Sequence, residues 1–146
     1  MSAREYPDRP WVGIGVIVFD GPPGAERVLL ARRGKPPRLG SWSLPGGAQH
    51  LGEPAEATAR RELFEETGIE VGPLTLAAVI DAISPDDQGA FRYHYTIIDF
   101  CARRTAGVAR PGDDVDAVAW ALPEELPRYA LTPEVLRVIA EARHRV

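Results

Sequence analysis

The 146-residue sequence predicts an α+β fold, an α/β/α sandwich in which helices flank a central mixed β-sheet. Three observations carry that expectation. The length suits one domain, residues 1–146, large enough to bury its own core. Short β-branched runs alternate with two segments of helical period, in the order β-β-α-β-β-β-α. Glycine and proline, 14 of each, fall at separated turns instead of one low-complexity tract.

Residues 1–9, "MSAREYPDR", are expected as a flexible N-terminal tail. "WVGIGVIVF" (11–19) reads as a largely buried strand, "DGPPGAE" as turn chemistry, and "RVLLA" (27–31) as the returning strand. A basic loop, "RRGKPPRLGSW", then leads to "SLPGG". Residues 52–68 predict a helix. Pro54 suits its first position, Glu53 and Glu56 its positive end, and Gly68 its stop. Strands are predicted over 74–83, 93–102 and 116–122, the first two joined by the polar loop "SPDDQGAFR". From Thr132 the chain predicts a docked C-terminal helix with Val135, Leu136, Ile139 and Ala142 on one face.

Composition narrows the function. A net charge of −4 argues against a nucleic-acid polymer as partner, which wants a basic surface. No apolar stretch reaches the roughly 18–20 residues of a membrane span, and the N-terminus lacks a signal-peptide core. The single cysteine, Cys101, excludes an internal disulfide and a cysteine metal cluster. A cytoplasmic location is the expectation.

"RRELFEET" (60–67) carries the chemistry. With Pro54 as origin and about 100° per residue, Glu65, Glu62 and Glu66 fall near 20°, 80° and 120°. They share one arc beside the apolar face begun by Ala59 and Leu63. Neighbouring like charges on a helix cost roughly 0.2–0.5 kcal/mol per pair. Carboxylates gathered at the edge of a buried face raise one another's pKa or hold cations. An all-oxygen cluster suits hard cations, Mg²⁺ above all. Taken alone, a solvated acidic face would explain the same residues.

Their surroundings decide otherwise. Residues 47–69 read GAQHLGEPAEATARRELFEETGI: Gly, five residues, Glu, seven residues, then Arg-Glu-aliphatic-x-Glu-Glu-x-Gly-aliphatic. This resembles the Nudix box at every defining position. Seven fixed residues at roughly 1 in 15 each make a chance match of order one in a million. With "SLPGG" and the strand order, the resemblance to the Nudix hydrolase family spans essentially the whole chain.

The resemblance implies a Nudix fold and hydrolysis of a nucleoside diphosphate linked to another moiety, with Mg²⁺ as cofactor and Mn²⁺ as an alternative. It places the metal on Glu62, Glu65, Glu66 and the Gly47 carbonyl. One of the three glutamates, or an acid from another loop, would orient the attacking water. Arg61 would fix the carboxylate rotamers, and Glu53 would support the same network. The substrate is a small nucleotide. Many relatives form dimers that help shape the pocket; the sequence does not itself specify the oligomeric state, and a homodimer is open to this chain.

Other residues are open to two readings. Arg32, Arg33, Lys35 and Arg38 bind phosphate or ribose, or form a solvated basic loop. Trp42, Phe91, Tyr93 and Tyr95 stack on a base or simply pack. His50 and His94 lack partners at ligand spacing and are read as non-ligands. Asp113, Asp114 and Asp116 form an acidic turn, or supply the extra acid that Nudix enzymes often recruit from such a loop. "GIGV" (13–16) lacks the third glycine and the helix of a dinucleotide fingerprint.

For the substrate, Pro85 stands 16 residues after Ile69, a spacing found in many ADP-ribose pyrophosphatases, although "SPDD" is also ordinary turn sequence. "RPWVGIGVIVFD", "RRGKPP" and "RYHYTIIDF" resemble the short bacterial ADP-ribose pyrophosphatase-like members. Cleavage of ADP-ribose to AMP and ribose 5-phosphate is the first expectation, and hydrolysis of (oxidised) nucleoside triphosphates the alternative. A nucleotide-sensing Nudix domain without catalysis is the reading from another class. Such domains usually carry a degraded box, and this one is complete.

Overall fold

The computed structural model describes residues 4–146. Among these residues, eight strands form one mixed sheet: β1 (Trp11–Asp20), β2 (Arg27–Arg33), β3 (Trp42–Ser43), β4 (Gly46–Ala48), β5 (Glu70–Val71), β6 (Thr75–Pro85), β7 (Phe91–Ala106) and β8 (Val115–Ala121). Two helices, α1 (Ala55–Thr67) and α2 (Pro133–Ala142), and a 3₁₀ helix (Pro123–Tyr129) complete it. The main path runs β3-β2-β1-β7-β5, with β4 on β1, β6 on β7 and β8 on β2. Of the described strands, only β1 and β7 pair in parallel, from Trp11↔Tyr95 to Phe19↔Arg103.

Strand β1 explains the sandwich. Its apolar run has no polar alternation because both faces are covered. Ile14, Val16 and Val18 join Ala59 and Leu63 of α1 in one core. Ile17 and Phe19 join Val138, Ile139 and Ala142 of α2 in the other. All five β1 side chains are buried. The α/β/α expectation therefore holds.

The differences from expectation are local. The short strands β3, β4 and β5 and the 3₁₀ helix are additional, too brief for any periodicity to announce. Pro54 is the N-cap of α1 and not its first residue. On α2, Leu136 is exposed and Val138 is buried in its stead. At about 100° per residue, Val138, Ile139 and Ala142 cluster around Val135, while Leu136 stands a quarter-turn away.

The expected N-terminal tail is held where it is described. Arg4 lies over the Trp11 ring at 5.3 Å. The Tyr6 backbone N–H donates to Arg92 O at 2.8 Å and its hydroxyl to Asp86 at 2.9 Å. Glu5 pairs with Arg92 at 2.7 Å. Residues 1–3 lie outside the described residues. No described helix is long and apolar enough to cross a membrane.

Candidate metal-binding and catalytic site

The site is assembled from three pieces: α1, the turn before it, and the loop that enters β8. Helix α1 buries Thr58, Ala59, Leu63 and Thr67 and ends at Gly68, whose φ of 73° is left-handed. Its acidic edge is thereby turned toward β4.

Arg61 is the hub. Its Nε and Nη2 donate to the two Glu53 oxygens at 2.7 and 3.0 Å, a bidentate pair. Its Nη1 donates to Glu62 at 2.7 Å and to Glu65 at 3.3 Å, and Nη2 reaches Ala48 O at 3.4 Å. Glu53 also accepts from Thr58 Oγ1 at 2.7 Å and the His50 N–H at 3.1 Å. Arg61 above all holds the Glu53 carboxyl well below the usual range, and Glu53 in turn holds the guanidinium firmly protonated. One glutamate and one arginine thus serve to orient the others.

The remaining carboxylates sit in different environments. The Glu62 carboxyl group lies against Gly47, where a Cβ would overlap it. Burial raises its pKa, and Arg61 opposes that rise. Glu66 accepts the Gly46 N–H at 2.9 Å. Burial, with Glu62, Asp113 and Asp114 adding repulsion, pushes Glu66 up to about 7. Glu65 is the more open, its side chain 45% exposed against 13% for Glu62.

The loop before β8 supplies a third cluster member. Gly112 N–H donates to Glu66 O at 3.0 Å and Arg110 N–H to Thr67 O at 2.9 Å, so the loop caps the free carbonyls of α1. Asp113 then follows with a φ of 50°. Oxygens of Glu62, Glu65 and Asp113 lie within 4.8 Å of one another. Three convergent carboxylates fit a hard divalent cation in number and donor type. Glu66 is adjacent, but one of its oxygens is taken by Gly46. Of the loop acids, Asp113 is brought to the cluster. Asp114 pairs with Lys35 at 2.8 Å, and Asp116 with Arg32 at 2.7 Å.

A family model for the NUDIX domain matches residues 9–142. The chain belongs to the Nudix hydrolase family. It is 38% identical over 117 residues to a putative mutator protein MutT4 of Mycobacterium tuberculosis, covering 79% of this chain and 46% of that protein. It is 31% identical to an ADP-ribose pyrophosphatase of Methanocaldococcus jannaschii, over 75% of this chain and 62% of the relative. An 8-oxo-(d)GTP phosphatase of Mycolicibacterium smegmatis is 34% identical over 68% of this chain and 28% of its own length. This Nudix chain therefore spans less than two thirds of each of these relatives. Its fold matches a MutT NUDIX hydrolase from Burkholderia pseudomallei with a TM-score of 0.76 at 30% identity, covering 92% and 98% of the two chains.

The expected substrate residues fare unevenly. Arg32 is paired with Asp116 and lies over the Trp42 ring at 5.7 Å, so both flank the loop that carries Asp113. Trp42 also meets Tyr129 edge-on, with ring centroids 5.0 Å apart. Arg33 donates to Pro36 O at 3.2 Å, and Arg38 stands in the exposed turn closed by Ser41. Pro85 is exposed, paired to Phe91 at the end of β6. It lies six residues, about 20 Å, along β6 from Val79, which shares a row with Ile98 and Ile14 near the site. The fold sets Pro85 apart from the carboxylate cluster, at the exposed end of β6. One polar group lies outside every motif: Asp99. Its signal is an acid inside an apolar strand run, "TIIDFCA".

Proposed function

We propose that the protein is a metal-dependent pyrophosphohydrolase that cleaves the diphosphate of a nucleoside diphosphate derivative. The convergence of Glu62, Glu65 and Asp113 carries this reading. These three would hold the cation, Mg²⁺ or Mn²⁺, with the Gly47 carbonyl beside them. When bound, the metal neutralises the diphosphate and lowers the pKa of a water.

The chain's own residues do the rest. Arg61 locks Glu62 and Glu65 into one arrangement before substrate arrives, which is where positional catalysis originates. Glu66, beside the cluster and oriented by the Gly46 N–H, is the group placed to take a proton from the attacking water. Arg32 and Lys35, anchored by Asp116 and Asp114, present a basic rim to an anionic substrate.

ADP-ribose is the first substrate by this reading. The M. jannaschii relative bears that activity in its name, and the β1 and β7 segments resemble short bacterial members. Oxidised guanine nucleotides are second, supported by the M. smegmatis relative. Steady-state rates on both, with Mg²⁺ and with Mn²⁺, rank them. AMP release from ADP-ribose that disappears in Glu62→Gln is the expected result. A tenfold preference for 8-oxo-dGTP would reverse the order.

A further inference from the structure

Among the described residues, Asp99 is the one acid in the interior. It is 6% exposed and sits mid-strand on β7. Its carboxylate has no hydrogen-bond or ion-pair partner among those residues. Burial alone raises its pKa, to about 6, so the metal-site carboxylates have no part in that rise. Buried acids are almost always satisfied, because an unpartnered one is desolvated with nothing to offset it. Its oxygens are not sealed from the surface, so an incoming donor can reach them.

The sheet has cleared space around it. Ala78, Asp99, Gly15 and Gly46 form one row across β6, β7, β1 and β4, so a single long side chain stands among a methyl and two glycines. A Cβ on Gly15 would collide with Asp99 Oδ1, so the carboxylate lies over the glycine. The next row on that face is Ile80, Ile97, Gly13 and Ala48. Ile80, Ile97 and Gly13 are only half-buried. Trp42 and Ile80 pack at the margin of the α2 core, where its cover ends. Small and half-buried residues here leave room for a shallow trough with apolar walls, an aromatic margin and one polar group. That is the composition of a site for a planar ligand.

Position supplies the ligand's chemistry. Gly46 closes the row, and its neighbour Gly47 touches Glu62. Asp99 is thus two strand spacings, about 10 Å, from the strand that borders the carboxylate cluster. The cluster lies on the α1 face and Asp99 on the α2 face, so a nucleotide whose phosphates sit at the cluster would pass the outer edge of β4 and bring its base over Gly13, beside the Asp99 carboxylate.

We propose that Asp99 is the base-reading residue, accepting hydrogen bonds from the amino-bearing edge of a purine lying in this trough. The inference rests on the pyrophosphohydrolase reading and names what that site selects. Adenine offers its 6-amino group, and guanine its 2-amino group with the adjacent ring N–H. Hypoxanthine lacks both amino groups and keeps a single donor on that edge, the ring N–H at position 1.

The test compares kcat/KM for ADP-ribose against IDP-ribose, and for 8-oxo-dGTP against its analogue without the 2-amino group, 8-oxo-dITP, in native protein and Asp99→Asn. A hydrogen bond to a charged group predicts about a ten- to hundredfold preference for the amino-bearing substrate of the pair in use. In Asp99→Asn, whose amide oxygen still accepts, that preference should shrink several-fold. The first pair responding identifies adenine and the second guanine. A melting curve shows whether Asp99→Asn folds, and Asp99→Val repeats the comparison. Equal rates within both pairs in native protein, or an undiminished preference in both variants, overturns the Asp99 assignment and leaves the hydrolase reading standing. Failure to cleave all four nucleotides overturns both.

Discussion

The Glu62 carboxyl group occupies the space in which a side chain at Gly47 would begin. This contact explains a glycine that needs no positive φ: the requirement is close approach, not backbone freedom. Gly47→Ala must push Glu62 away from the cluster it forms with Glu65 and Asp113. Since displacement of a catalytic group by about 1 Å costs on the order of 10²-fold, a similar loss in kcat is expected. Steady-state kinetics beside a melting curve check it. A variant that folds and keeps more than a third of native kcat contradicts the packing argument.

Arg61 makes a second prediction, because a bidentate fork cannot be replaced by a point charge. Arg61→Lys keeps the positive charge but cannot hold both Glu53 oxygens while reaching Glu62 and Glu65. Groups that orient metal ligands typically matter about 10–100-fold for affinity or activity. The half-saturating Mg²⁺ concentration should rise by such a factor. Unchanged Mg²⁺ dependence in Arg61→Lys would show that the carboxylates hold their places unaided.

Like charges gathered by α1 and the Asp113 loop imply that the cation stabilises the fold. A ligand present at about 100 times its Kd adds about 2.7 kcal/mol. For a domain of this size that is a rise in Tm of roughly 5–10 °C. Differential scanning fluorimetry in EDTA and in excess Mg²⁺ measures it. Glu62→Gln and Asp113→Asn should each flatten the response, while Asp114→Asn, outside the cluster, should not. If Asp113→Asn responds like native protein, the loop acid is no ligand.

How much of this was legible beforehand follows from range. Helix α1 and its carboxylates were readable because their spacing is local, and the box draws Gly47, Glu53 and Arg61 from the same stretch of chain. The sandwich was readable from β1, whose unbroken apolar run requires cover on both faces. Asp113 could be named only as one of three loop acids. Its selection depends on Gly112 and Arg110 binding the end of α1, contacts between residues far apart in sequence. Leu136 stands a quarter-turn from its expected place, a matter of which side of the helix meets the sheet. Asp99 was not legible because its meaning lies in a row across four strands, and strand pairing is not written locally.

That row supports the last prediction. The unfolded chain releases the Asp99 proton near the ordinary value of 3.8, and the folded protein retains it to about 6. Between these values the folded state binds more protons, so its stability falls as pH rises through the window. Above about pH 6 the whole penalty is present. Each tenfold change in an acid's ionisation constant corresponds to about 1.4 kcal/mol, which makes the penalty roughly 2–3 kcal/mol at neutral pH. Asn carries no charge to desolvate. Asp99→Asn should therefore differ little from native protein near pH 4 and be more stable by roughly that amount at pH 7. Urea melts of both proteins across this range measure the difference. A gap that stays constant with pH would mean that Asp99 is not held in a desolvated place, and a group so placed would give a purine edge no advantage over water.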